Sequence, residues 1–442
     1  MRIELRDVHS MTTTQTKTMT VAEMVQAVVT PPLRARVDAF DGSQVGPDGA
    51  EFTIHVVRPR ALRYLEASPN DLGMARAYLQ GDIRVDGMQP GNPYDAFATW
   101  VDMAHRIHRP ALADGARIIH TLNVHGAERA PKPPSIEIPS VWRRILTGVV
   151  PHTHRGDATT VSYHYDQSNE FYADIIGASM THTCACFPTE DASLEDAQAN
   201  KLRLVLDKLD LRPGQRLLDI GCGWGSMEVA AARRGIRVLG VTLSQPQVDW
   251  ATEWIHREGL QDLAEVRLMD YRDVPETGFD GICSLGMMEH VGVSHYASYF
   301  AEMFDKLKPG GRLLNHQITR HNSSDHHHPG KFIDRYIFPD GELGAPGLVM
   351  TRIHDAGFEV VHEENLRQHY ALTLRHWGEN LQANWDHAVQ QVGEQKARLW
   401  GVYLAGSRFS FEQDTIQIHQ FLAVRPGADG ARWYPLRPWW NA

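Results

Sequence analysis

The chain has 442 residues but only four cysteines, Cys184, Cys186, Cys222 and Cys283, and their spacing fits neither a metal knuckle nor a disulfide framework. Free thiols in a reducing, cytoplasmic setting are therefore expected. Long apolar runs are missing as well, so no segment reads as a membrane span. The opening stretch, MRIELRDVHSMTTTQTK, lacks the apolar core of a signal peptide. The ten residues ahead of Met11 fit no pattern, which leaves Met1 or Met11 as the start. Positive charge is in deficit: the net charge of −10 argues against nucleic acid as the main partner. Between Arg106 and Arg155 the balance reverses, with Arg106, Arg109, Arg117, Arg129, Lys132, Arg143, Arg144 and Arg155 facing only Asp114, Glu128 and Glu137. Such a patch is either an ordinary solvated face or a surface for anionic lipid.

What the chain does contain is a strand–turn–helix–strand unit over 216–244, RLLDIGCGWGSMEVAAARRGIRVLGVTLS. Leu217 to Ile220 reads as a buried strand, followed by a tight turn at Gly221, Gly223 and Gly225. Met227 to Arg234 reads as a helix and Ile236 to Leu243 as the second strand, which together make one unit of a doubly wound α/β sheet. Three ligands compete for the turn. A phosphate loop needs Lys-Ser/Thr after the glycines, and Gly225-Ser226-Met227 has none. A dinucleotide site wants an acid at the end of the second strand, which here ends in Thr242-Leu243-Ser244. An S-adenosylmethionine (SAM) pocket needs neither, and Asp219 just ahead of the turn suits the ammonium group of that ligand. The turn favours SAM over a dinucleotide without excluding the second.

In chain order, helices are expected at Val21 to Val29, from the cap near Asn70 to Gly81, at Tyr94 to His108 and at Arg117 to Val124, with a strand at Phe52 to Val57. Pro131, Pro133, Pro134 and Pro139 mark a linker, with a short amphipathic helix at Trp142 to Val150 beyond it. The expected division is an N-terminal domain over 1–130, a linker over 131–156, a catalytic domain over 157–430 and a tail over 431–442. Within the catalytic domain helices are expected at Leu194 to Leu209, Gln247 to Glu258 and Tyr296 to Leu307, the last stopped by Lys308-Pro309-Gly310-Gly311. Strands are expected at Ala264 to Leu268, Phe279 to Leu285 and Arg312 to Ile318.

Asp219, Thr242, Asp270, Glu289 and His316 then fall at or just past successive strand ends, the edge where doubly wound sheets bind ligands. The set holds no Ser-His-Asp order and no metal tripod. His321, His326, His327 and His328 share one loop, but no second cluster has matching spacing, so no native metal is expected. A carboxylate and an imidazole beside a sulfonium pocket suit a cationic transition state followed by removal of a proton.

YHYDQSNEFY, SMTHTCACF, LLDIGCGWG, GVTLSQPQ, DYRD, MEHVG, LKPGG, RYIFPDGEL and HYALTLRHW, in this order over 162–424, resemble the cyclopropane-fatty-acid synthase family. That resemblance implies a class I SAM-dependent methyltransferase fold (Rossmann-like, a doubly wound sheet) with a smaller α+β N-terminal lipid-binding domain, where DLGMARAYLQGD matches. FPTEDASLEDAQ, RLLNHQITRH, FIDRYIFPDGEL and PLRPWW resemble an actinobacterial branch that converts oleoyl chains to 10-methylene-stearoyl, the precursor of tuberculostearate-type lipids. By the same resemblance Asp219, Gly221 and Gly223 grip the methionine part of SAM, and Thr242, Leu243 and Gln247 hold its ribose and adenine. Asp270 and Tyr271 lie along the adenine edge, and Thr183 also touches the cofactor. Cys184, Glu289, His316, Tyr370 and the backbone of Ile318 surround a bicarbonate that serves as base. One position departs from the pattern: His182 stands where the family usually has Tyr. The implied partners are phospholipid acyl chains, the inner face of the cell membrane, a reductase acting on the methylene product, and a second copy of the chain. Two other readings stay open. Ring closure from the same cation, by loss of a proton from the new methyl, gives a cyclopropane. A non-catalytic lipid carrier is the third reading, against which the full set Cys184, Glu289, His316 and Tyr370 speaks.

Overall fold

The computed structural model describes residues 18–124, 131–139, 168–324, 330–339, 341–427 and 434–440. The expected helix at 142–150, the start at Met1 or Met11, Arg129, Arg143, Arg144, Arg155 and His326 to His328 lie outside the described residues. The chain divides into two compact units, residues up to 87 with 98–133, and residues 88–97 with 134–442. No helix among the described residues is long and apolar enough to cross a membrane.

The first unit carries a four-stranded sheet of β1 (Arg36–Ala39), β2 (Gln44–Val45), β3 (Thr53–Val56) and β4 (Ile83–Asp86), in the order β2-β1-β3-β4. Its helices include Val21–Val28, closed by a Thr20–Glu23 capping box, and Asp71–Leu79, capped by Asn70. The helix Leu112–Val124 begins five residues before the expected Arg117.

In the second unit, β5 (Arg216–Ile220), β6 (Arg237–Thr242), β7 (Ala264–Leu268), β8 (Phe279–Leu285), β9 (Leu307–Arg320), β10 (Glu359–Asn365) and β11 (Ile416–Val424) form one sheet. Their order is β10-β11-β9-β8-β5-β6-β7, and β11 runs antiparallel to both its neighbours. The β5–β8 pair is where the winding reverses, so the ends of these strands open a crevice. Leu218, Ile220, Leu239 and Val241 point into one apolar layer, and Leu217, Val238, Leu314 and Leu422 into the other. Asp219 shares the face of Leu217, beneath the helices Leu194–Leu209, Ser226–Arg233 and Gln245–Arg257 that supply this second layer.

The helix Tyr296–Lys306 ends just ahead of Lys308-Pro309-Gly310-Gly311, as expected, and those four residues form a bulge inside β9, which starts earlier than the expected Arg312. Pairing with β8 holds at Phe279↔Leu307 and resumes at Gly281↔Arg312. The bulge is tied down by Gly310 N donating to Arg425 O at 2.7 Å and Arg425 N donating to Gly311 O at 2.9 Å. Residues 88–97 join the second unit through glycine contacts. A methyl on Gly401 would meet Pro90 O at 2.1 Å, and one on Gly91 would meet Gln382 Cα at 2.7 Å, so two backbones touch where side chains would hold them apart.

Candidate active site

The glycine turn leaves β5 with Gly221, Gly223 and Gly225 all in the left-handed region, at φ of 78°, 55° and 89°. The three differ in what surrounds them. A methyl on Gly225 would lie 2.8 Å from Ala251 Cβ, so this glycine lets two helices pack. At Gly223 nothing lies within 4 Å, because that side of the turn is open cavity. Thr183, Asp219, Gly221, Gly223, Thr242, Leu243, Gln247, Asp270 and Tyr271 all line this one cavity. Thr242 Oγ1 donates to Gln247 Oε1 at 2.7 Å, coupling the end of β6 to the helix that follows. Asp270 caps the turn after β7, accepting from Arg272 N at 3.0 Å and Arg272 Nε at 2.8 Å.

Sequence reasoning missed Lys201 and His290, which also line the cavity. Lys201 is fully buried and donates to Thr183 Oγ1 at 2.7 Å. Burial pulls its pKa down to about 8, partly countered by Cys186, Cys184 and Asp219. The signal was there, since Lys201 sits on the buried stripe Leu194, Ala197, Lys201, Leu204 and Lys208 of its helix. His182 lines the cavity within an aromatic box. Its ring centre is 5.2 Å from Trp377, 5.7 Å from Tyr172 and 5.9 Å from Trp400. Burial, aided by His290, lowers its pKa to about 4, so the ring is neutral.

The five residues expected around the base are not among the lining of that cavity. β8 ends at Leu285, level with His316, whereas β9 continues to Arg320 along β11. His316 is therefore inside a strand, not at its end, although it marks the point where β8 departs. Gly286 N donates to His316 O at 2.8 Å, the last rung of that ladder. The next donor on this edge, Ile318 N, has lost its strand partner and donates to Glu289 Oε1 at 2.6 Å. Glu289 is half-buried as a residue, but its Oε2 is enclosed and lacks a partner, and desolvation raises its pKa to about 7, moderated by the Ile318 amide. His316 is fully buried with both ring nitrogens unpartnered; burial and then Lys201 and Lys208 hold it neutral. Cys184 Sγ lies 3.8 Å from Leu366 O, which in turn accepts Tyr370 N at 3.1 Å. Leu366 N donates to Ile418 O at 2.8 Å, and Ile418 is the register partner of Ile318. A chain of backbone contacts thus links Cys184 and Tyr370 to Ile318 and Glu289. The Tyr370 ring packs 4.6 Å from Phe411 and 6.0 Å from Trp377, which joins it to the aromatic box.

A glycine turn headed by a buried carboxyl (Asp219), with no lysine in the turn itself and an aromatic wall, fits a sulfonium ligand bearing an ammonium group. Sheet order and cavity define a class I SAM-dependent methyltransferase fold. Residues 152–421 match the mycolic acid cyclopropane synthetase family, and the chain belongs to it. A probable fatty acid methyltransferase of Mycobacterium tuberculosis is 46% identical over 431 residues, 98% of this chain and 100% of that protein. A probable fatty acid methyltransferase of Pseudomonas putida is 43% identical over 63% of this chain and 72% of its own length. Among solved structures, the mycolic acid cyclopropane synthase CmaA1 complexed with SAH and CTAB is 32% identical, with a TM-score of 0.57, covering 60% of this chain and 98% of that one.

Proposed function

We propose that this enzyme, a SAM-dependent fatty-acyl methyltransferase, methylates the double bond of oleoyl chains in phospholipids to give a 10-methylene-stearoyl product. Asp219, Gly221 and Gly223 bind the methionine end of SAM, with Thr242, Leu243, Gln247, Asp270, Tyr271 and Thr183 holding the remainder. SAM, when bound, supplies an electrophilic methyl group. The alkene π pair forms the new C–C bond, and the departing sulfur keeps the electrons of the bond that breaks. The cation left on the acyl chain meets neutral aromatic faces, among them Trp377, Tyr172, Trp400 and His182, and water is kept away. A hydride shift from the methylated carbon, then loss of a proton from the new methyl, gives the methylene; proton loss without the shift closes a cyclopropane.

One observation carries the proton-accepting half: the enclosed Glu289 Oε2 and both nitrogens of buried His316 lack partners beside the edge of β9 that β8 has left. Buried polar groups left so call for a polar occupant. Cys184, Glu289, His316, Tyr370 and the backbone of Ile318 would surround bicarbonate there, which supplies a base. Glu289, protonated up to about pH 7, can present a hydrogen to that anion without charge repulsion. The resemblance of FPTEDASLEDAQ, RLLNHQITRH, FIDRYIFPDGEL and PLRPWW to the actinobacterial branch favours methylene over ring. Lipids from an oleate-containing host expressing the chain should gain one carbon. Ozonolysis should yield a ketone at carbon 10; a product resistant to ozone would replace this reading with the cyclopropane, and no mass change would leave lipid carriage.

The first unit, with the linker, is proposed to dock the enzyme on the cytoplasmic membrane face so that intact phospholipid is the substrate. Supporting this, Ile107, Leu112, Ile119 and Val124 are exposed apolar side chains within one short stretch, Leu112 at 96%. A reductase consuming the methylene group would complete the route to a methyl branch.

A further inference from the structure

Glu228 is a buried acid that none of this explains. It lies in the first turn of the helix Ser226–Arg233, is fully buried, and does not line the cavity. Its carboxyl occupies the space a side chain at position 240 would fill: a methyl on Gly240 would come within 2.2 Å of Glu228 Oε1. Gly240 is the register partner of Asp219 on the neighbouring strand, so the Glu228 carboxyl is delivered to the flank of Asp219. Neither Glu228 oxygen meets a hydrogen-bond partner of good geometry, and no cation pairs with it among the described residues. The polar group it lies against is the Asp219 carboxyl.

Two adjacent buried carboxyls do not both ionise. The other groups facing the pair decide which keeps the proton. Cys283 on β8 donates its thiol to Asp219 Oδ1 at 3.2 Å, and the Lys201 ammonium field reaches Asp219. Cys222 in the turn and Tyr299 on the helix Tyr296–Lys306 also face the pair; burial keeps both neutral. The anion is thus favoured on Asp219 and the proton on Glu228.

We propose that Glu228 is a positioning residue for the cofactor: in its protonated form it donates a hydrogen bond to Asp219, holding that carboxylate ionised and aimed at the ammonium group of SAM. This rests on the reading of Asp219 as the ammonium's partner. Burial pushes both acids upward, and the interaction with Glu228 is among the influences that bring Asp219 back down. Without that donor, Asp219 should take up its proton at higher pH and SAM should be lost there.

The test is calorimetric titration of the full chain with SAM between pH 5.5 and 8.5, on wild type, Glu228→Met, Glu228→Gln and Asp219→Asn. Met fills the space without a donor, whereas Gln keeps one. Glu228→Met should move the midpoint of the affinity loss up by about one pH unit, weakening binding about twofold at pH 7 and approaching tenfold at pH 5.5. Glu228→Gln should follow the wild-type profile. An infrared band of a protonated carboxylic acid should persist at pH 8 in wild type and be absent in Glu228→Gln. Weakened binding in Asp219→Asn combined with identical profiles for Met, Gln and wild type would overturn the role of Glu228 alone. Undiminished affinity in Asp219→Asn would overturn the reading of Asp219, and this proposal with it.

Discussion

Glu289 Oε1 accepts the backbone N–H of Ile318 at 2.6 Å, across an edge of β9 that β8 has already left. A side chain here takes over a hydrogen bond that a strand would otherwise make, which fixes one carboxyl oxygen and leaves Oε2 without a partner. Glu289→Gln and His316→Ala should therefore lower turnover by roughly 10²–10⁴-fold, the range of lost acid–base catalysis. SAM affinity should stay within a few-fold, because neither residue lines the cofactor cavity. Calorimetry showing affinity lost together with activity would contradict this separation.

Glu289 also links stability to pH. Its pKa rises from 4.5 to about 7 on burial, so the folded chain binds an extra proton between those values. Stability contributed by this group is present at low pH and falls as pH rises through that window, by on the order of 3 kcal/mol in all. Glu289→Gln removes the dependence. Thermal unfolding should show the variant gaining on wild type between pH 5 and pH 8, and a constant difference would refute the linkage.

The glycine turn separates ligand binding from folding. Gly223→Val places its side chain in open cavity, so SAM binding should disappear while stability drops only about 1–2 kcal/mol from backbone strain. Gly225→Val meets Ala251 Cβ and should cost roughly 2–5 kcal/mol of folding stability. Denaturant unfolding and calorimetry on the pair would reveal equal behaviour if the distinction were wrong.

For membrane docking, Leu112→Glu combined with Ile119→Glu in the full chain should weaken co-sedimentation with anionic vesicles at least tenfold, about 1.4 kcal/mol, a modest share of two apolar side chains. Raising salt should weaken wild-type binding only in part, since screening acts on charge and spares apolar burial. Unchanged sedimentation of the double variant would place the docking surface elsewhere.

Elements bounded by glycine and proline and carrying one apolar run were legible in the sequence. The helix Leu194–Leu209 and strands β7 and β8 have the expected limits. The nine expected cofactor residues share one cavity because strand ends in a parallel sheet converge whatever the loops do. Contacts between distant segments were not legible. His316 lies within its strand because β11, a hundred residues later, extends the pairing to Arg320. Lys201 and Glu228 were visible as polar residues on helices, but what meets them, Thr183 and Asp219, is set by tertiary packing. Of the four strands in the first unit, only the Thr53–Val56 strand is legible, because it sits in the apolar-rich run FTIHVV; β2 has two residues, and β1 and β4, as long as β3, lack such a run around them.

The missing side chain at Gly240 binds two positions into a shared history. A lineage carrying Glu228 can give position 240 a methyl group only by turning that carboxyl away from the flank of Asp219, since the two would meet at 2.2 Å, and by easing Cys222 Cβ, 2.9 Å away. Among relatives, alanine at 240 should therefore be accompanied by change at 228 or 222.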